Sequence, residues 1–515
     1  MIVARRITPS RIGMATAEST TCPKSDRAIK VTAVNNPTIR IGIFASMRAE
    51  GRPGSVVRTG ISGLSYGHPM AYRYPDTSVI YRKLDRPFLK VVRGEGSRLF
   101  DESGKDYLDG SGGAYVANLG HGVAEIVDQV AEQIRKVAYV NGMAFTNDAV
   151  EDLAAELKTL SVGDLDKFYF LTSGSDAVEA ALKLARQYWV ETGKPGKHKI
   201  IALSPGYHGN TMLALSASAR QHYKVMFKEW LIPVVPVPAP YAYRCDCAGA
   251  PDCSRCTGQL VEAAILAEGP ETVAAFIGET VGGSSTGASV PRPEYWRAIR
   301  EACSKHGVLW IADEVLCGAG RTGTWTAVEQ YGVVPDLMTM GKGISGGYAA
   351  LSAVVASERI LDPIARSSGS VIHAQTFTHT PMMCAAGLAA VRYIKKHDLI
   401  ARSRTMGSRL HQLLEPIRRH PLVGDVRGRG LLAGIEFVAD RGTKAPYPRK
   451  AKIAERVTDA ALDAGLIVWP NVGQADGTAG DLVCLAPPFV VTDAEMDEMI
   501  ARFGRALDVV SQSLS

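Results

Sequence analysis

No apolar run in this chain of 515 residues approaches the roughly 20 residues that a membrane-crossing helix needs, so no span is expected. The body carries no internal repeat, coiled-coil pattern or low-complexity tract. No G-x-G-x-x-G follows the first strand of a βαβ unit, which speaks against an NAD-type enzyme, and no G-x4-G-K-[ST] is present to make a P-loop. The start of the chain lacks the apolar core of a secretory signal. Nine cysteines without such a leader point to a reducing, cytoplasmic setting.

Acidic residues are scarce only at the start. Residues 1–70 hold ten Lys or Arg against three Asp or Glu, a net +7, whereas the whole chain carries +6. The remainder is therefore close to neutral, and no nucleic-acid partner is expected. The basic segment reads as a flexible N-terminal extension with an early transit-peptide flavour (Arg5, Arg6, Arg11), or as an over-extended start with Met47 or Met70 as the true one.

What is present is a series of short apolar runs that stop abruptly at polar residues. Val308–Val315 and Asp336–Gly343 are the clearest, and they have the pattern of parallel strands covered on both faces. Ligands in open α/β sheets sit beyond the carboxyl ends of such strands, so Asp313 and Lys342 are expected in one crevice. A lysine between Gly341 and Gly343 allows close backbone approach to a flat ligand. Apolar walls lower an amine's proton affinity, the property a Schiff-base lysine requires. Val315, two positions after Asp313, is expected on the same side of its strand.

Other runs deliver further groups. Phe168–Leu171 leads into Thr172-Ser173-Gly174-Ser175-Asp176 and a helix through Trp189, and a strand, Gly/Ser turn and helix N-terminus together favour an anion. Gly174 and Ser175 are the anion-binding candidates, and Ser173 or Ser175 can also serve as a plain cap. Ile200–Leu203 ends in Pro205-Gly206-Tyr207-His208-Gly209, where a tyrosine held by glycines can stack on a heteroaromatic ring. Ala274–Gly278 brings Glu279 to the crevice, where it either supports a ligand or caps a turn. Ala350–Val355 is expected to close the sheet. Cys245, Cys247, Cys253 and Cys256 form C-x-C-x5-C-x2-C inside an irregular, Pro-rich stretch. Four thiolates can hold zinc, but the irregular spacing favours thiols packed in a loop with no metal.

From about Leu84 to Phe503 these motifs, in this order, closely resemble the class III (ω-) aminotransferases, which bind pyridoxal 5′-phosphate (PLP). The resemblance implies the α/β PLP fold type I: a mostly parallel seven-stranded sheet in a large domain, and a smaller α+β domain built from the N- and C-terminal parts. The expected division is 1–70 for the extension, 71–135 for the first part of the small domain, 136–382 for the large domain and 383–515 for the rest. It implies Lys342 and Asp313 as catalytic residues. Ser173, Gly174 and Ser175 would lie at the cofactor phosphate and Tyr207 over the pyridine ring, with His208, Glu279 and Val315 beside it. Thr376, in His373–Pro381, would reach the phosphate of the neighbouring subunit, making a homodimer with shared active sites. Tyr115, in the glycine-dense loop Gly112–Gly122, would line the substrate pocket or simply pack under that loop. Arg427, with Arg429 as fallback, would grip a substrate carboxylate. The chain departs from the family at Asp176, usually Glu, and at Thr280, usually Pro.

The function so implied is a ping-pong transfer of an amino group from an amine or ω-amino acid to a keto acid such as pyruvate or 2-oxoglutarate. An amino-acid racemase or epimerase, an aminomutase, and a non-catalytic PLP-fold protein are the alternatives on the same scaffold.

Overall fold

A computed structural model describes residues 72–514 except 248, 249 and 251; the basic extension, with the readings made on it, lies outside the described residues. The strands in chain order are β1 (Val91–Glu95), β2 (Arg98–Asp101), β3 (Asp106–Asp109), β4 (Lys167–Leu171), β5 (Lys199–Ser204), β6 (Val235–Pro238), β7 (Val273–Glu279), β8 (Leu309–Asp313), β9 (Leu337–Met340), β10 (Ser352–Ala356), β11 (Val423–Gly428), β12 (Ala433–Phe437), β13 (Leu466–Ile467), β14 (Trp469–Val472) and β15 (Asp481–Leu485).

Seven of them form one sheet in the order β4-β10-β9-β8-β7-β5-β6. Neighbours from β9 to β6 run parallel, and β10 is antiparallel to both β4 and β9. The Ala350–Val355 run therefore does not close the sheet. It is inserted between β4 and β9, where an all-buried strand is covered on every side.

Alternation along the strands divides the core into two faces. Ala275, Ile277, Leu309 and Ile311 turn to the side covered by the helix Gly174–Glu191. Phe276, Trp310 and Ala312 turn to the side covered by the helix Tyr295–His306. There Trp296 of the helix stacks on Trp310 of the strand with ring centroids 5.2 Å apart and planes 8° from parallel.

The N-terminal hairpin β1–β2 and β3 form a four-stranded sheet completed by β13, which pairs in parallel with β3 through Leu466 and Leu108. A third sheet has the order β11-β12-β15-β14. The smaller α+β part is thus assembled from both ends of the chain. Its closing helix, Asp493–Gln512, starts at a capping box in which Thr492 and Glu495 satisfy each other's amides. Among the described residues no helix is long and apolar enough to cross a membrane.

Candidate active site

Parallel strands place their carboxyl ends on one edge, and the polar residues that ended the apolar runs meet there. Glu279 of β7 and Asp313 of β8 are register partners, and Asp313 in turn faces Thr339 of β9. Lys342 follows β9 by two residues, with a left-handed backbone (φ 46°), and Tyr207 and His208 lie in the turn after β5. One cavity of about 290 Å³ is lined by Lys342, Asp313, Glu279, Tyr207, His208, Val315, Gly174, Ser175 and Tyr115 among others.

Asp313 is buried, and each of its oxygens has a protein partner. Its Oδ2 lies 2.6 Å from His208 Nδ1, and its Oδ1 accepts the Val315 amide at 3.0 Å and the Thr339 hydroxyl at 3.3 Å. Glu279 accepts the Tyr207 amide at 3.1 Å, the Ser285 hydroxyl at 2.7 Å and the Gly283 amide at 2.9 Å. It thus holds the Tyr207 turn and caps its own following turn. Lys342 opens onto the cavity, and loss of hydration lowers its proton affinity although Asp313 and Glu279 pull the other way.

Val315 reaches the cavity by a different route from strand alternation. β8 ends at Asp313, and the carboxylate of Asp313 captures the Val315 amide two residues on, which turns the chain. The valine then presses on the glycine turn: a Cβ at Gly174 would lie 2.7 Å from Val315 Cγ1. The glycine after Lys342 is also required by packing. A Cβ at Gly343 would meet Asn118 Nδ2 at 2.6 Å, and that amide nitrogen donates to the Gly343 carbonyl at 3.3 Å.

Ser173 is not part of the lining. It is exposed, its Oγ accepts the Asp176 amide at 3.2 Å and donates to the Asp176 carboxylate at 2.9 Å, so it caps the helix. Ser175 remains in the wall, where its Oγ accepts the Asn210 amide at 3.1 Å. Thr376 is exposed and outside its own chain's cavity. Arg427 also lies outside the lining: it donates to Asp425 at 2.8 Å, Glu436 at 2.8 Å, Tyr241 at 2.6 Å and the Thr286 carbonyl. Arg429 is exposed and outside it too.

Several lining residues carry no sequence signal of the kind used above: Arg82, Asn210, Arg220, Tyr223, Ser284 and Trp469. Arg220 is buried, donates to Ser284 Oγ at 2.5 Å, and places its guanidinium carbon 4.9 Å from the centroid of the Tyr207 ring. Its Nε has no partner among the described residues.

The chain matches the family model for class-III aminotransferases over residues 79–507. It is 36% identical over 437 residues to the aminotransferase YodT of Bacillus subtilis, covering 85% of this chain and 98% of that one. It is 34% identical over 442 residues to a diaminobutyrate–2-oxoglutarate transaminase of Halomonas elongata, covering 84% and 92% respectively. Among solved structures, an (S)-enantioselective ω-transaminase from Thermomicrobium roseum aligns with a TM-score of 0.77 at 36% identity, over 82% of this chain and 93% of that one. Fold and matches together define a transaminase of PLP fold type I. Within that class, this chain belongs to the class-III aminotransferases.

That family depends on PLP, and the donor set here fits the group. The cavity offers an amine of lowered proton affinity, a buried carboxylate, an aromatic ring and the N-terminus of an 18-residue helix that starts in its wall. These match an aldehyde, a ring nitrogen, a ring face and a phosphate.

Proposed function

We propose that this enzyme binds PLP at the Lys342 cavity and moves an amino group from an amine or ω-amino acid to a keto acid such as pyruvate or 2-oxoglutarate in two half-reactions. The observation that carries the reading is the convergence of Lys342 and Asp313 on one cavity. When bound, PLP supplies an aldehyde that exchanges with the substrate's amine and a ring that absorbs the electrons released at its α-carbon.

Lys342 Nζ is the group that holds the cofactor and, once displaced by substrate, moves the α-proton. Its lowered proton affinity keeps a larger share of it in the neutral form both tasks require. Asp313 offers its carboxylate to the ring nitrogen, and His208, Thr339 and the Val315 amide fix its direction. Tyr207 and Val315 bear on the ring, while Gly174 and Ser175 offer amides to the phosphate. Tyr115 walls the substrate side.

A keto acid brings a carboxylate into this space. Arg427 could meet it only by exchanging Asp425 and Glu436, whereas Arg220 already stands in the wall with part of its guanidinium unpaired. Arg220 is therefore assigned the carboxylate contact.

Thr376 belongs to the neighbouring subunit's phosphate site in this reading, and an apolar face supports the homodimer. Met143, Phe145 and Phe377 are exposed there, and Tyr139 packs edge-on to Phe377 at 6.2 Å.

A donor panel of β- and ω-amino acids, diamines and simple amines, against pyruvate and 2-oxoglutarate and followed through the cofactor's absorbance, tests the reading. A donor alone should convert the cofactor once, and continued turnover should require a keto acid. Racemisation of a chiral amino acid with no keto acid present would replace this reading with a racemase.

A further inference from the structure

The four cysteines of the Pro233–Gln259 stretch are absorbed by none of the chemistry above, yet they converge. The Sγ atoms of Cys245, Cys247, Cys253 and Cys256 all lie within 4.8 Å of one another. Cys245 and Cys253 stand 3.4 Å apart, and Cys247 and Cys256 3.7 Å apart. Both exceed the about 2.05 Å of a disulfide bond. A zinc ion with four sulfurs at about 2.3 Å sets the edges of its tetrahedron near 3.8 Å, and these two separations fall close to that edge.

The backbone explains the convergence. Cys253 precedes the short helix Ser254–Thr257, and its carbonyl accepts the amides of Cys256 and Thr257 at 2.9 Å, which sets Cys253 and Cys256 on one turn. Cys245 closes the turn Ala242–Arg244 on the other side, with Cys247 just beyond. Arg255, between the helical pair, ties the halves together by donating to the carbonyls of Ala239 and Arg244 at 2.7 and 3.3 Å. Its charge also offsets part of the negative charge that four thiolates around a divalent ion would leave. Cys303 and Cys384, by contrast, are buried among apolar side chains of the core.

We propose that Cys245, Cys247, Cys253 and Cys256 form a structural zinc site, a closed tetrahedron with no open position for substrate. This replaces the expectation of separately packed thiols. The site would pin the turn that precedes it: Tyr241 and Arg244 both donate to Glu436, the partner of Arg427. Binding would require loss of the four thiol protons to solvent and no oxidant or reductant.

The test is metal analysis of the full-length protein, expressed without a metal-binding tag and purified without chelator, together with the double variant Cys253→Ser/Cys256→Ser. One zinc per chain is expected in the parent and none in the variant. Growth with cobalt should give the thiolate-to-metal charge transfer and visible bands of a tetrahedral four-sulfur site. These readouts need neither bound PLP nor turnover, so they stand or fall apart from the catalytic reading. Parent protein without zinc, two disulfides in peptide mapping, or zinc retained in the double variant would each overturn the proposal.

Discussion

His208 and Asp313 form a buried pair at the carboxyl edge of the sheet, with Nδ1 2.6 Å from Oδ2. Burial disfavours the charged ring, but the hydrogen bond and negative charge of Asp313 outweigh it, so the imidazole binds its proton more tightly than usual. Asp313 thus has His208 behind it and the cavity in front. We propose His208 as a positioning residue that acts through that carboxylate. Removing a hydrogen bond to a charged group costs about 1.5–3 kcal/mol, or roughly 10- to 100-fold in rate. His208→Asn should lower kcat by that range and shift the pH profile of the cofactor's absorbance. A role in folding alone would lower Tm and leave the profile of the surviving protein unchanged.

The contact between Gly174 and Val315 gives a prediction with its own rescue. A methyl at position 174 would lie 2.7 Å from Val315 Cγ1, inside any real carbon contact. Gly174→Ala should therefore displace the valine or the helix start and weaken PLP binding by about tenfold or more, given overpacking costs of about 1–3 kcal/mol. Val315→Ala in the same chain should restore much of the loss, because the offending atoms are gone. Equilibrium titration of the apoenzyme with PLP, run as a double-mutant cycle, measures the coupling.

The cavity's charged wall predicts a split in kinetic constants. Arg220→Met should raise KM for pyruvate or 2-oxoglutarate by about 10- to 100-fold, the range of one charged hydrogen bond. KM for an amine donor without a carboxylate should change little. Equal effects on both half-reactions would assign Arg220 to the Tyr207 ring it faces and remove it from carboxylate recognition.

Much of this site was legible because strands announce their ends. Asp313, Glu279 and the Tyr207-His208 pair terminate uninterrupted apolar runs, and the topology of a parallel sheet brings such ends together. Lys342 was legible for the same reason. Arg220 and Arg82 were not: neither follows a strand nor sits in a glycine turn, and tertiary folding alone brings them to the cavity wall. Val315 lines the cavity, but a captured amide and not strand alternation turns it inward. The position of β10 was misread because a buried run looks the same at a covered edge as in the interior. Ser173 shows the limit of reading a turn by composition. Capping and anion binding use the same residue types, and here the adjacent Asp176 takes the hydroxyl.

Glu314, next to Asp313, predicts a pH-dependent stability that involves no substrate. Burial raises its carboxyl from 4.5 to about 7, although the amides of Ala327 and Val328 and the Cys317 thiol donate to it. The folded chain therefore holds this proton more tightly than the unfolded one. Its contribution is full below about pH 4.5 and is lost as pH rises through about 7. The change amounts to about 3 kcal/mol. Urea unfolding across this window should show that slope in the parent and a flatter one in Glu314→Gln. Parallel slopes would place the titration elsewhere.

The central claim is tested most directly by reducing the PLP-loaded enzyme with borohydride and mapping the modified peptide by mass. A pyridoxyl group on Lys342, absent from Lys342→Ala together with all but about 10⁻⁴ of the activity, is the predicted result. An adduct confined to another lysine, or substantial turnover by the alanine variant, would contradict it.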